Sequence, residues 1–247
     1  MNSNPSRPSS HGLLAGLFLA AGLVLAAVLL TRTWMAIADS ETISVTGSAR
    51  RTVSSDLIIW NGSFSIEAPQ LIEAQRALAK HRDLVGAFFT KHNLTNWVYS
   101  PVAIEEIHPR SKTPEGDEAS RTIGYRLRQG IMLKSGEVQK LSDLTAQTTE
   151  LLEQGVEFVA GAPDYIYTKA GEAKVEMLAE ATKDARARAE QIAGQGGRFV
   201  RSLKSARMGV FQITPVYSTT TAAEGVNDTT SQEKTVTATV TARFSLK

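Results

Sequence analysis

Histidine is the side chain best suited to hold a metal or move a proton near neutral pH. Three of the four in the chain, His81, His92 and His108, lie beyond residue 40. A transition-metal site needs several imidazole, thiolate or carboxylate ligands brought together. None of these imidazoles is at the i,i+3 or i,i+4 spacing that would put two ligands on one helix face, and the chain has no cysteine. The missing thiols exclude a disulfide framework, thiol catalysis and Cys-ligated zinc or iron–sulfur centres. His81 and His92 fall within one helical stretch and are expected to be surface or packing residues.

Nucleophilic catalysis needs a base held against a hydroxyl. There is no Gly-x-Ser-x-Gly elbow. Ser231-Gln-Glu-Lys234 has Ser-x-x-Lys form, but it sits in a flexible-looking Thr-rich loop without Ser-Asp-Asn or Lys-Thr-Gly partners, so it reads as coincidence. Gly194-Gln-Gly196-Gly197 follows a helical pattern, whereas a dinucleotide fingerprint follows a strand, and it reads as a helix end. Glu105/Glu106, Asp117/Glu118 and Glu153/Glu157 supply carboxylates; acid–base work would further require a shared pocket, and solvated charge is the expectation. No catalytic, metal or cofactor site is expected, and the chain is read as non-enzymatic.

The elements that would position any chemistry begin with an apolar leader. Gly12 to Leu30 is nineteen residues without charge or proline, about what a helix needs to cross a ~30 Å hydrocarbon core. Leu13, Leu14, Leu17, Phe18, Leu23 and Leu29 would face lipid, and Trp34 would sit at the interface. Arg7 and the amino terminus precede this stretch and Arg32 follows it, which favours an N-in orientation. Residues 1–11 are then a short cytoplasmic tail and 12–34 a signal anchor in the inner membrane, with the main body in the periplasm. The alternative is a signal peptide cut after Ala36-Ile37-Ala38, releasing a soluble periplasmic body. A tail of about eleven residues leaves little room for an output domain, which disfavours direct signalling.

Lys+Arg number 27 against 25 Asp+Glu, and Arg7 and Arg32 account for the excess, so the rest of the chain is formally neutral. That neutrality disfavours nucleic acid as a partner, because such binding relies on a basic field.

Beyond Ser40 the apolar spacing alternates between period two and period 3.6, the mark of an α+β body. Ile43–Gly47 and Ile58–Ile66 read as strands. Pro69 to about His92 reads as a helix with Leu71, Ala74, Leu78, Val85 and Phe88 on one stripe. Strands follow at Trp97–Ile107 and from Ile123 to Lys134, separated by a polar loop at 111–120. Leu141, Leu144, Thr148, Leu151 and Leu152 define a short helix stopped by Gly155, and Val156–Thr168 is a strand interrupted near Gly161 and Pro163. Lys169–Gln195 is a long helix rich in alanine, which favours helix and admits a close neighbour. Phe199–Tyr217 is extended, 218–233 is a long polar loop, and Val236–Leu246 is a strand alternating with threonine. The order is strand-helix-strand-strand, twice, with antiparallel-rich sheets expected. Residues 56–168 also fit β-α-β-β-α-β, the split βαβ arrangement, and both parses stand. Two subdomains near 41–139 and 140–247 are one division of the body.

Ile43-Ser-Val-Thr-Gly47, the Gly124-Tyr125 pair, and Glu176–Ala193 followed by Gly196-Gly197 occur in an order and spacing that resembles the SIMPL-domain family over about residues 41–247. That family includes periplasmic immunogenic proteins and proteins associated with oxidative-stress defence. Ser54-Ser55-Asp56 stands where Pro-Asp is more usual, and the loop at 218–233 is longer. The resemblance implies an exported α+β protein with no established reaction or cofactor, and some relatives that form ring-like or channel-like oligomers.

The expected function is therefore that of a tethered envelope protein working by self-association and contacts with other envelope proteins. Its partners would be the bilayer and further copies of itself, and the Thr-rich final strand is the expected pairing edge. The rival is a small-molecule-binding protein or enzyme with a cleft near Trp60, Tyr125, Tyr165 or Tyr167, although strand aromatics more often belong to a core.

Overall fold

The computed structural model describes residues 10–38, 41–108, 122–220 and 222–247; the N-terminal tail and the loop expected at 111–120 lie outside these. The described elements form an α+β body with antiparallel strand pairing, preceded by one apolar helix. The chain divides into two units. One comprises Met1–Ser48, Leu178–Gly209 and Thr239–Lys247, and the other Ala49–Met177 and Val210–Ala238. They interleave along the chain, unlike consecutive stretches at 41–139 and 140–247.

In chain order the elements are α1 (Ser10–Ala38), β1 (Thr42–Ser54), β2 (Leu57–Ala68), α2 (Leu71–Lys91), β3 (Trp97–Tyr99), β4 (Ala103–Ile107) and β5 (Gly124–Ser135). Next come α3 (Val138–Gln147), α4 (Glu150–Glu153), β6 (Glu157–Ala160), β7 (Asp164–Ile166), α5 (Ala170–Gln195), β8 (Val200–Pro215) and β9 (Glu233–Leu246).

The larger unit holds a six-stranded sheet in the order β3-β5-β2-β6, with β4 also paired to β5 and β7 to β2. Taken as β2-α2-β3-β5-α3-β6, this is the split βαβ arrangement, one of the two parses left open by the sequence. Both strand-helix-strand-strand runs exist in chain order, yet β6 and β7 join β2 instead of forming a sheet with β8 and β9. Period-two spacing drives Ile58, Trp60 and Phe64 of β2 and Leu127, Ile131 and Leu133 of β5 to one face, where Ala74, Leu78, Val85, Phe88 and Phe89 of α2 join them in the core. Each such large side chain contributes roughly 1.5–3 kcal/mol on burial. Gly62 lies on that same face, and a Cβ there would collide with the Phe158 ring, so the missing side chain gives this ring its place beside Trp60, centroids 5.7 Å apart.

Several expected boundaries shift for local reasons. Leu71 opens α2 but stays 41% exposed, and Phe89 takes the buried place. The strand expected at Trp97–Ile107 is two strands, because Pro101 lacks an amide hydrogen for the ladder. Ser100 keeps the pairing up to that break: its N–H donates to Gly130 O (2.9 Å) and its hydroxyl accepts from Gly130 N–H (2.9 Å). The single helix expected around 141–152 is α3 and α4. Thr145 and Thr148 hydroxyls bond the carbonyls of Ser142 and Thr145, at 2.7 and 2.8 Å, which competes with regular helix. Leu152 consequently turns outward. Gly155 has φ +79°, the left-handed helix end that its position predicts.

In the smaller unit α5 presents Ala181, Ala185, Ala189 and Ala193, all buried and spaced four apart. Gly47 of β1 meets this row so closely that a Cβ would collide with the Ala181 carbonyl oxygen and the Ala185 backbone. Small residues on both sides thus set the separation of helix and strand. Val240, Ala242 and Phe244 of β9 complete the buried set. Gly197, at φ +69°, closes α5, and Arg198 N–H bonds back to Ala193 O at 2.9 Å. The expected i,i+4 pairs are present, Asp184–Arg188 at 2.8 Å and Arg186–Glu190 at 2.9 Å.

The expectation that the Thr-rich last strand is an edge is corrected. Strand order is β1-β9-β8, so β9 is central and the edges are β1 and β8. Alternating Thr and apolar residues report which faces are wet and dry and carry no information on lateral neighbours.

Candidate anchor and surface sites

The first site is α1. Leu14–Met35 is 22 residues with mean hydropathy 2.5 and nothing buried, long and apolar enough to cross a membrane. At 1.5 Å per residue it reaches about 33 Å. Leu14, Leu17, Phe18, Leu23, Leu29 and Trp34 are all exposed, as a lipid-facing surface would be in the absence of lipid; the side chain of Leu13 and those of 36–38 at the expected cleavage motif lie outside the described residues. The two hydroxyls near its end are bonded within the helix, Thr31 to Ala27 O (2.7 Å) and Thr33 to Leu29 O (2.8 Å), which removes the cost of bringing them into hydrocarbon.

The four aromatics proposed for a cleft fall in different settings. Trp60 is fully buried, its indole N–H donating to Gly161 O at 2.8 Å and its ring against Phe89 and Phe158. Tyr125 and Tyr165 are half-buried against the same core, and the Tyr165 hydroxyl pairs with that of Ser142 at 2.8 Å. Tyr167 is partly exposed outside this core. Two concavities of this unit have other walls. One of about 250 Å³ is formed by residues 93–96 and 133–137, and one of about 440 Å³ by His92, Gln139, Lys140, Asp143, Leu144 and Gln147. Among the described residues no three His, Asp or Glu side chains gather as a metal site. Glu105 is engaged by Arg126 at 3.0 Å and Glu106 by Thr122 at 2.7 Å, while Asp117 and Glu118 lie outside the described residues.

Sequence reasoning missed the strongest electrostatic feature. Lys234 is fully buried at the start of β9, and its ammonium donates to Asp228 O (2.6 Å) and Asp228 Oδ2 (3.1 Å). Thr230 donates to Asp228 Oδ1 from its amide (3.0 Å) and its hydroxyl (2.7 Å), and Ser231 N–H reaches Oδ2 at 3.3 Å. Burial, the largest influence, pushes the Asp228 carboxyl up; the bonds from Thr230, Lys234 and Ser231 outweigh it and hold the pKa at about 2. The Ser-x-x-Lys sequence is therefore part of a structural clasp that ties the 218–233 loop to its strand. One signal was present: Lys234 is in phase with Val236, Ala238, Val240, Ala242 and Phe244, the inward face.

A second clasp is Asp56, whose carboxylate accepts from Thr168 N–H and the Thr168 hydroxyl, both at 2.7 Å. Burial raises its pKa, and these bonds outweigh it so that the net shift is downward.

An apolar N-terminal helix followed by an antiparallel α+β body with clasped loops defines the class of this protein as a candidate single-span or signal-bearing α+β protein. The chain belongs to the SIMPL family: the family model, described as a protein of unknown function (DUF541), matches residues 43–244. No curated protein matches the chain. Among solved structures, a crystal structure of an amidase (hydantoinase/carbamoylase family) from Burkholderia phymatum is similar, at 10% identity and TM-score 0.31, over 54% of this chain and 35% of that one. A likeness at that TM-score says nothing about reaction or substrate.

Proposed function

We propose that this SIMPL-family chain is a non-enzymatic inner-membrane protein, held by α1 with its body in the periplasm, that works by self-association and contacts with other envelope proteins, stress defence being the setting. The observation that carries this reading is α1, apolar over its whole circumference with none of Leu14–Met35 buried. Burying such a surface in hydrocarbon is favourable at roughly 25 cal/mol per Å², and the body offers it no cover. Arg7 before the helix supports N-in orientation. The edge position of β1 supports self-association, since a sheet edge offers backbone N–H and C=O groups to a partner; Ser48 N–H there is taken by Asp184, and the far part of β8 is bridged by residues 226–228.

Intact mass of the protein extracted from membranes tests the tether, with 26.7 kDa expected for the uncut chain. A mass corresponding to a chain starting at Asp39, found in the soluble periplasmic fraction, refutes it. Light scattering of the full chain in detergent tests the association, and a monomer at every concentration refutes that part.

A further inference from the structure

Resting on the reading that α1 spans the bilayer, we propose that Phe199 and the first half of β8, which it leads into, form a second membrane contact, docking on anionic lipid headgroups through Phe199, Leu203, Arg201 and Lys204. The span and the sheet are joined by very little chain: only Asp39, Ser40 and Glu41 separate Ala38 from Thr42. Four Cα steps reach at most about 14 Å. The end of the sheet that holds Glu41 is therefore kept beside the bilayer whatever path those residues take.

β8 begins at that same end. Leu246 N–H donates to Glu41 O at 2.9 Å, and Phe199 and Lys247 exchange both backbone bonds, at 2.9 and 2.8 Å. Arg198 is spent locally on Glu41 at 2.9 Å. Phe199 is 76% exposed and Leu203 47%, and Arg201 and Lys204 between and beyond them are exposed without an ion pair among the described residues. No acidic residue occurs from 199 to 217. An exposed aromatic and leucine among unpaired cations is the pattern that inserts apolar groups at the headgroup level while the charges meet anionic lipid, each cation adding about fivefold to the affinity near such a surface.

The test uses the full chain in nanodiscs of phosphatidylcholine, with or without phosphatidylglycerol. Because the chain has no cysteine, one spin label can be placed at a time, through Leu23→Cys, Leu203→Cys or Tyr217→Cys. Power saturation then compares access of oxygen with access of a nickel chelate. At 203 in anionic discs the expected result is a severalfold rise in the oxygen-to-nickel ratio over that at 217. That rise shrinks in neutral discs and when Arg201→Glu and Lys204→Glu are added. If 203 stays as wet as 217 in both lipids while 23 reports lipid, the second contact is refuted and the tether stands. If 23 itself is wet, the tether fails and takes the proposal with it. Loss of both reagents at 203, with spectral broadening that disappears on dilution with unlabelled protein, means a second copy covers the strand and also overturns the proposal.

Discussion

Replacing Lys234 by methionine tests whether the buried clasp holds the long loop to β9. The substitution keeps most of the apolar stem and removes the ammonium, leaving Asp228, whose side chain is 6% exposed, without its cation. Breaking a buried pair from one side costs roughly 3–5 kcal/mol. Thr230 and Ser231 still donate to the carboxylate, so a loss of about 2–4 kcal/mol is expected. Asp228→Asn leaves the ammonium with the Asp228 backbone oxygen and is expected to cost about as much. The double variant should cost less than the sum of the two by about 1–3 kcal/mol. Acid gives a second measure. The folded carboxyl titrates at about 2 against an ordinary 3.8, so the folded state binds fewer protons and is favoured as pH rises. That gain, about 2 kcal/mol, is complete above pH ~4 and is lost as pH falls toward ~2. Urea unfolding of the full chain in detergent, followed by tryptophan fluorescence with Trp34→Phe in the background so that Trp60 and Trp97 report, reads all of these in the unit that contains the clasp. Single variants within about 0.5 kcal/mol of the parent, additive in the double and with an unchanged acid limb, would refute the reasoning.

Gly47→Ala should lower the thermal midpoint of the smaller unit, since all three atoms its Cβ would strike are backbone; overpacking of this kind costs roughly 1–3 kcal/mol or more, whereas Gly16→Ala in α1 meets open space and should leave the midpoint unchanged. Equal midpoints for the two variants would show that the alanine row has room to spare. His81 should make the larger unit weaken below neutrality: burial, the larger influence, lowers its pKa from 6.5 while Glu157 raises it. Its contribution is complete above pH ~6.5 and falls as pH drops toward the depressed value, so thermal melts between pH 7.5 and 5 should show a slope that His81→Gln flattens.

The apolar leader and the alternating strands were legible because burial writes itself into spacing. Trp60, Leu127 and Phe244 could be assigned inward from period two alone. The long alanine helix and its glycine end were equally readable. Lateral order was not, since β9 alternates the same way whether it is central or at an edge. The choice between parses also depended on β6 pairing with β2, a contact between residues nearly a hundred positions apart that leaves no local trace. Lys234 shows a different limit. Residue type suggested a wet loop, phase suggested a dry strand, and the decisive fact was an aspartate six residues earlier that makes burial of an ammonium tolerable.

In the larger unit several buried or half-buried polar groups are engaged in architecture: Trp60 with Gly161 O at 2.8 Å, Gln129 with Ser100 O at 2.9 Å, the Tyr165 hydroxyl with Ser142 at 2.8 Å, and Lys234 with Asp228. A catalytic acid, base or nucleophile has to exchange partners with substrate during reaction, and a buried group already committed to a structural bond gives up stability to do so. The buried ring nitrogens His81 Nδ1 and His92 Nε2 have no hydrogen-bond partner in that unit, and exposed groups without such commitments include α1 and the start of β8, where Phe199, Leu203 and unpaired cations face outward. Those surfaces are suited to association with lipid or protein, and they are what the proposed function rests on.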